Sequence, residues 1–144
     1  MRIYKVLSKF LMSVCILALF TITTQAQSKT DDKISVIRAI APNYPFIALS
    51  VNISGLVEVE VQITNEGTVS NAKVVGGHKL LQPSAEHAAK KWLFTPSQEN
   101  NNVRKINLKF NFIIMPENTY HEDLWSTFLP PYSIEIREKK RDYQ

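Results

Sequence analysis

Val57, Val59, Val61 and Ile63 alternate with Glu58, Glu60, Gln62 and Thr64. A period of two puts the apolar set on one face and the polar set on the other. This stretch is therefore a strand with one wet face and one face that the rest of the chain must cover. Gly55 opens the run, and Asn65-Glu66-Gly67 closes it with turn-forming residues. Thr68 to Val75 then reads as a second strand returning antiparallel, a hairpin. Its alternation slips, because Val69 falls on the opposite face from Ala72 and Val74, and the slip predicts a bulge or an edge position.

The period changes after Gly76-Gly77. Leu81, Ala85, Ala88, Ala89 and Trp92 recur at helical spacing, with Glu86, His87, Lys90 and Lys91 on the opposite face. Pro83 suits a first turn and Lys90-Lys91 suit the negative end of the helix dipole, so residues 82 to 93 are expected to form an amphipathic helix lying on the hairpin. Pro96 stops it, and Ser97 to Asn102 is a polar loop. Ile106, Leu108, Phe110, Phe112 and Ile114 then alternate with Asn107, Lys109 and Asn111 in a third strand that Pro116 ends. The expected fold is α+β: a two-layer domain with an antiparallel sheet of about three strands, in ββαβ order, packed with one amphipathic helix. Its expected core is Val57, Val59, Val61, Trp92, Phe94 and Phe110. Aromatics at the end of an amphipathic helix are more often core than recognition surface, which decides the reading of Trp92 and Phe94.

The N-terminus reads as an address. Arg2, Lys5 and Lys9 precede the apolar run Phe10 to Ile22, and Thr24 and Ala26 supply the small residues of a cleavage site. The run has 13 residues, whereas a spanning helix needs ~20, so a cleaved signal over residues 1–26 is the reading, with an inner-membrane anchor as the alternative. Cys15 sits inside the apolar run after Val14, which is not a small residue, and so is not read as a lipidation site. Cleavage after Ala26 leaves 118 residues without cysteine, enough for one domain held by its core rather than by disulfides. It also leaves 14 basic residues against 13 acidic ones, a net charge of +1 instead of +4. Nucleic-acid binding through a basic surface thereby loses its support. Residues 27–40 are a short linker or an extra strand, 41–116 the domain, and 117–144 an extension. Trp125, Phe128, Leu129, Tyr132, Ile134 and Ile136 make that extension too apolar for a disordered tail, so part of it is expected to pack on the domain.

No catalytic constellation emerges. Glu58 and Glu60 share a strand face but have no sign of an enclosing cleft, Gly76-Gly77 lacks the spacing and Lys-Ser/Thr pair of a phosphate loop, and no Ser, His and Asp stand in a nucleophile context. His121-Glu122-Asp123 lies far in sequence from His78 and His87, without ligand spacing, so no metal site is read, and no cofactor or small-molecule substrate. The chain reads as a non-enzyme.

Tyr44-Pro45, Ala48, Gly55-x-Val57-x-Val59, Gly67-x-Val69, Leu81, Ala85, Trp92-Leu93-Phe94-Thr95-Pro96 and a last apolar strand running to Met115 follow one another in an order that resembles the TonB C-terminal domain family, over residues 41 to 115. The resemblance implies a periplasmic domain that grips the N-terminal peptide of an outer-membrane TonB-dependent receptor, which adds as a strand to the edge of the sheet. The N-terminus departs from the family's transducers. The apolar segment is short and has no histidine, and no proline-rich spacer follows it. Gln27 to Ala41 is 15 residues, a reach of at most about 50 Å. A free-standing periplasmic module that binds a protein or peptide partner is the expectation. The alternatives are a minimal transducer with an uncleaved anchor and an envelope structural or assembly protein. Homo-oligomerisation is left open. The expected grip is the edge of the third strand, through Lys105, Asn107, Lys109 and Asn111, because it is the longest alternation in the chain and lysines guard exposed edges.

Overall fold

A computed structural model describes residues 34–97, 103–120 and 125–139. They lie within one compact unit, Asp32–Gln144. The signal over residues 1–26 and the His121-Glu122-Asp123 run fall outside the described residues.

The alternating run forms β2, Gly55–Ile63, with Val57, Val59, Val61 and Ile63 all buried. It pairs antiparallel with β3, Val69–Gly76, and the register shifts twice, between Glu58 and Val59 and between Gln62 and Ile63. β3 is also the outer strand on that side, so the slipped alternation reflects irregular pairing and an edge position together. On its other side β2 pairs antiparallel with β5, Arg104–Met115, from Gly55 opposite Phe112 to Ile63 opposite Arg104.

Two strands follow that a three-strand sheet does not contain. β6 is Ser126–Leu129 and β7 is Ser133–Lys139. β6 runs antiparallel to β7, and β7 runs parallel to β5, so the chain lays β6 outermost and brings β7 back between β6 and β5. The sheet is therefore mixed and five-stranded, in the order β3-β2-β5-β7-β6. A separate two-stranded ribbon joins β1, Val36–Arg38, to β4, Leu93–Phe94. The expected three-strand antiparallel sheet is corrected accordingly. Of its two extra members, β6 pairs with its sequence neighbour β7, and β7 pairs with the earlier β5.

The helical layer has two members. α1 is Phe46–Ser50, which buries Ala48 and Leu49, and α2 is Gln82–Ala89, which buries Ala85, Ala88 and Ala89 against β2 and β3. α2 ends at Ala89, short of the expected end at residue 93, and Leu93 opens the strand Leu93–Phe94 instead of closing the helix. The reason lies in Gly67. Its φ of +86° is open to glycine, a Cβ there would collide with the Phe94 carbonyl, and its own carbonyl accepts the Phe94 N–H at 2.8 Å. The close approach draws the chain out of the helix and against the β2–β3 turn.

Trp92 anchors the core. It is 2 % exposed and its Nε1–H donates to the Ile40 carbonyl at 2.9 Å, which satisfies the polar end of a buried indole. Phe110 meets it edge-on at 5.9 Å between centroids, Phe94 lies at 6.0 Å, and Phe128 of β6 reaches it at 6.0 Å. Val57, Val59, Val61, Phe94 and Phe110 are fully buried around it, and Ile134 and Ile136 of β7 belong to the same cluster. Tyr44 packs edge-on against Phe112, and its hydroxyl donates to the Ile53 carbonyl at 2.7 Å. Burial pushes its phenol up to about 12.

Candidate functional site

A sheet offers partners its unpaired main-chain groups, so the site is sought where strands end the sheet or lack a neighbour. β5 was expected to be such an edge. The structure corrects this. From Lys109 to Met115 its outer side is filled by β7, with Lys109 opposite Ser133 and Asn111 opposite Glu135. The Lys109 N–H donates to the Tyr132 carbonyl at 2.9 Å, so it serves the fold. Of the four expected residues, only Lys105 and Asn107 lie where β7 does not reach. Main-chain groups alternate sides along a strand. Those of Lys105 and Asn107 therefore point the same way as those of Lys109, and meet no strand among the described residues. A cavity of about 210 Å³ lined by Asn107, Lys109, Pro131, Tyr132 and Ser133 sits beside this stretch.

The side chains of this region face solvent. Lys109 lies 3.7 Å from Glu58, and Lys105 lies 3.9 Å from Glu60, both pairs half-exposed. Exposed pairs of this kind contribute about 0–1 kcal/mol. Their consequence here is for Glu58 and Glu60, which stand on an open sheet face beside lysines. Arg104 begins β5 and is buried. Its Nη2 donates to the carbonyls of Thr64 and Thr95 at 3.0 and 2.8 Å, tying the β2–β3 turn to the exit of β4, while Nε and Nη1 meet no hydrogen-bond partner among the described residues. Among the described residues no three His, Cys, Asp or Glu side chains gather as a metal site, and no helix is long and apolar enough to cross a membrane.

A family model for the C-terminal of Gram-negative bacterial TonB protein matches residues 40–114, just over half of the chain. The chain belongs to the TonB C-terminal family. The solution NMR structure of the Pseudomonas aeruginosa TonB C-terminal domain is similar at 24% sequence identity, over 56% of this chain and 84% of that one, with a TM-score of 0.42. No curated protein matches the chain. The TonB C-terminal match takes in α1, β2, β3, α2, β4 and nearly all of β5, and stops one residue before β5 ends. β6 and β7 lie outside it. In this TonB C-terminal domain the outer side of the last matched strand is covered, from Lys109 onward, by residues from beyond the match.

β6 itself was not foreseen as an edge. All four of its residues are exposed, and Trp125 just before it is 65% exposed, Phe128 40% and Leu129 43%. A cavity of about 190 Å³ opens between the start of β1 and the end of β6, lined by Ile34, Val36, Phe128, Pro130, Pro131 and Tyr132. The signal available in the sequence was the aromatic and aliphatic content of the extension, which marks packing but not which strand is outermost.

Proposed function

We propose that the chain is a periplasmic protein-binding module that holds a partner peptide by strand addition and serves TonB-dependent outer-membrane transport. Membership of the TonB C-terminal family carries the reading: such domains are periplasmic protein-interaction domains of the cell envelope rather than enzymes. The five-stranded sheet suits the task, since among the described residues β3 and β6 each have one side without a neighbouring strand. An added strand gains affinity from main-chain hydrogen bonds and selectivity from alternate side chains. Residues 1–26 act as the export signal in this proposal, and mass spectrometry of the exported protein should find Gln27 at its N-terminus.

The binding test is fluorescence anisotropy with labelled N-terminal peptides of the TonB-dependent receptors of the same bacterium. Saturable binding that is lost when the peptides' central residue is proline supports strand addition, because proline removes a ladder donor. No binding by any of these receptor peptides would remove the link to transport.

A further inference from the structure

We infer that the partner strand adds to β6, the edge built by the C-terminal extension, and that it is an extended, uncharged peptide segment carrying one bulky apolar side chain. This rests on the strand-addition reading and goes further by choosing the edge and the chemistry of its occupant.

Among the described residues, three stretches of the five-stranded sheet have open main-chain groups, and they differ in how well they are guarded. β3 pairs with β2 through two register shifts and carries the exposed Lys73; irregular pairing and lysine are both devices that discourage a further strand. The open part of β5 is only Arg104 to Leu108, with Lys105 exposed in the middle, and its line is already occupied further along by β7. β6 pairs with β7 in unbroken register and contains neither charge nor proline between Ser126 and Leu129. Its guards among the described residues are its shortness and the Pro130–Pro131 pair that ends it.

The chemistry beside β6 points to the occupant. Phe128 pairs with Ile134, whose side chain is buried, so Phe128 lies on the inner face, where it reaches Trp92. The 190 Å³ cavity bounded by Phe128, Pro130, Ile34 and Val36 opens on that same side. A cavity of roughly 150 Å³ lined by apolar side chains takes a benzene ring, so this one has room for a large aliphatic or an aromatic side chain. On the edge itself a charged residue would find no counter-charge, because β6 is uncharged. A second copy pairing edge to edge is disfavoured by size: four residues a side is far short of the 20–30 of a standing interface.

The test selects binders to the full chain from a displayed library of random heptapeptides, then maps amide hydrogen exchange with the selected peptide in excess. The expected binders carry an aliphatic or aromatic residue flanked by uncharged ones. The expected map shows exchange slowed at least about fivefold within Ser126–Leu129 and unchanged at Lys105, Asn107 and β3. Leu129→Lys, at an exposed position, should weaken binding at least about tenfold by guarding the edge, with an unchanged melting temperature. Slowing at β3 or at Lys105 and Asn107 would overturn the choice of β6 and leave strand addition standing. Binders that slow no strand edge would overturn both. Slowing at β6 without peptide, in a protein that sediments as a dimer, would overturn the peptide in favour of a second copy, and a library without binders would overturn the inference.

Discussion

Replacing Ile134 with alanine tests whether β7 is part of the domain or a detachable cover over β5. Ile134 is 3% exposed and lies opposite Phe110 in the β5–β7 ladder; Ile136 is 4% exposed and lies opposite Phe112. Truncating a buried isoleucine to alanine costs about 2–5 kcal/mol, from lost transfer energy and the cavity left behind. A domain of this size holds only ~5–15 kcal/mol in total. Each kcal/mol moves the midpoint by roughly 4 °C or more, so Ile134→Ala and Ile136→Ala should each melt roughly 8 °C or more below the wild type. Thr127→Ala on exposed β6 is the control and should stay within about 0.5 kcal/mol. Thermal unfolding followed by circular dichroism reads all three. If both isoleucine variants melt within about 2 °C of the wild type, β7 is not in the cooperative core. The outer side of β5, with Lys109 and Asn111, would then be available to a partner, and the argument for β6 would lose its first step.

Trp92→Ala should cost about 3–5 kcal/mol, read by urea denaturation; an unchanged midpoint would make Trp92 a surface residue. Gly67→Ala should destabilise by more than about 1 kcal/mol, since φ there is positive and its Cβ would strike the Phe94 carbonyl, and wild-type stability would show that the Gly67–Phe94 approach is dispensable. Arg104→Met removes the donor that the Thr64 and Thr95 carbonyls share and should destabilise by about 1–3 kcal/mol; an unchanged midpoint would show that the Arg104 tie between the β2–β3 turn and β4 is dispensable. Tyr44 stays protonated in the fold up to about 12, above its ordinary value of 10.0. The unfolded chain therefore releases the proton first, so the stability owed to the neutral phenol is complete below pH 10.0 and falls as pH rises towards about 12. Tyr44→Phe should flatten this part of the stability profile, and an identical slope in both proteins would refute the assignment.

The parts of the fold that could be read from the residues are those with a sustained one-sided pattern. β2 and β5 are long, each buries one face, and their alternation carries that asymmetry directly. The α2 face of Leu81, Ala85, Ala88 and Ala89 is legible for the same reason. β1 and β4 have three and two residues, too few to establish a period, and their pairing joins Val36 to Phe94 across the length of the domain. α1 has five residues and no side-chain cap, so neither periodicity nor a capping signal marks it. In the extension the apolar residues are plain, but the turn at Pro130–Tyr132 joins β6 to β7 while β7 pairs parallel with the earlier β5, and no local pattern encodes a parallel neighbour.

The misplaced edge has a more specific cause. Alternation reports which side chains point up or down from a sheet. Whether a strand is flanked is a question within the plane of the sheet, and side-chain period does not address it. By pattern alone Lys105 and Lys109 on β5 suggest guards of an open edge. In the structure they stand on the outer face beside Glu60 and Glu58 of β2, so they complement charges on the neighbouring strand. That reassignment fixes how the β5 edge can be tested. Lys109→Pro would remove the N–H that Tyr132 accepts and so damage the fold. Asn107→Pro removes an N–H that meets no described strand, and it should leave the melting temperature within about 1 kcal/mol-equivalent of the wild type. If the partner adds to β6, a folded Asn107→Pro protein binds the selected peptide with wild-type affinity. If it adds to the open end of β5, that substitution abolishes binding while Leu129→Lys leaves it intact, and the two variants together separate the two edges of one sheet.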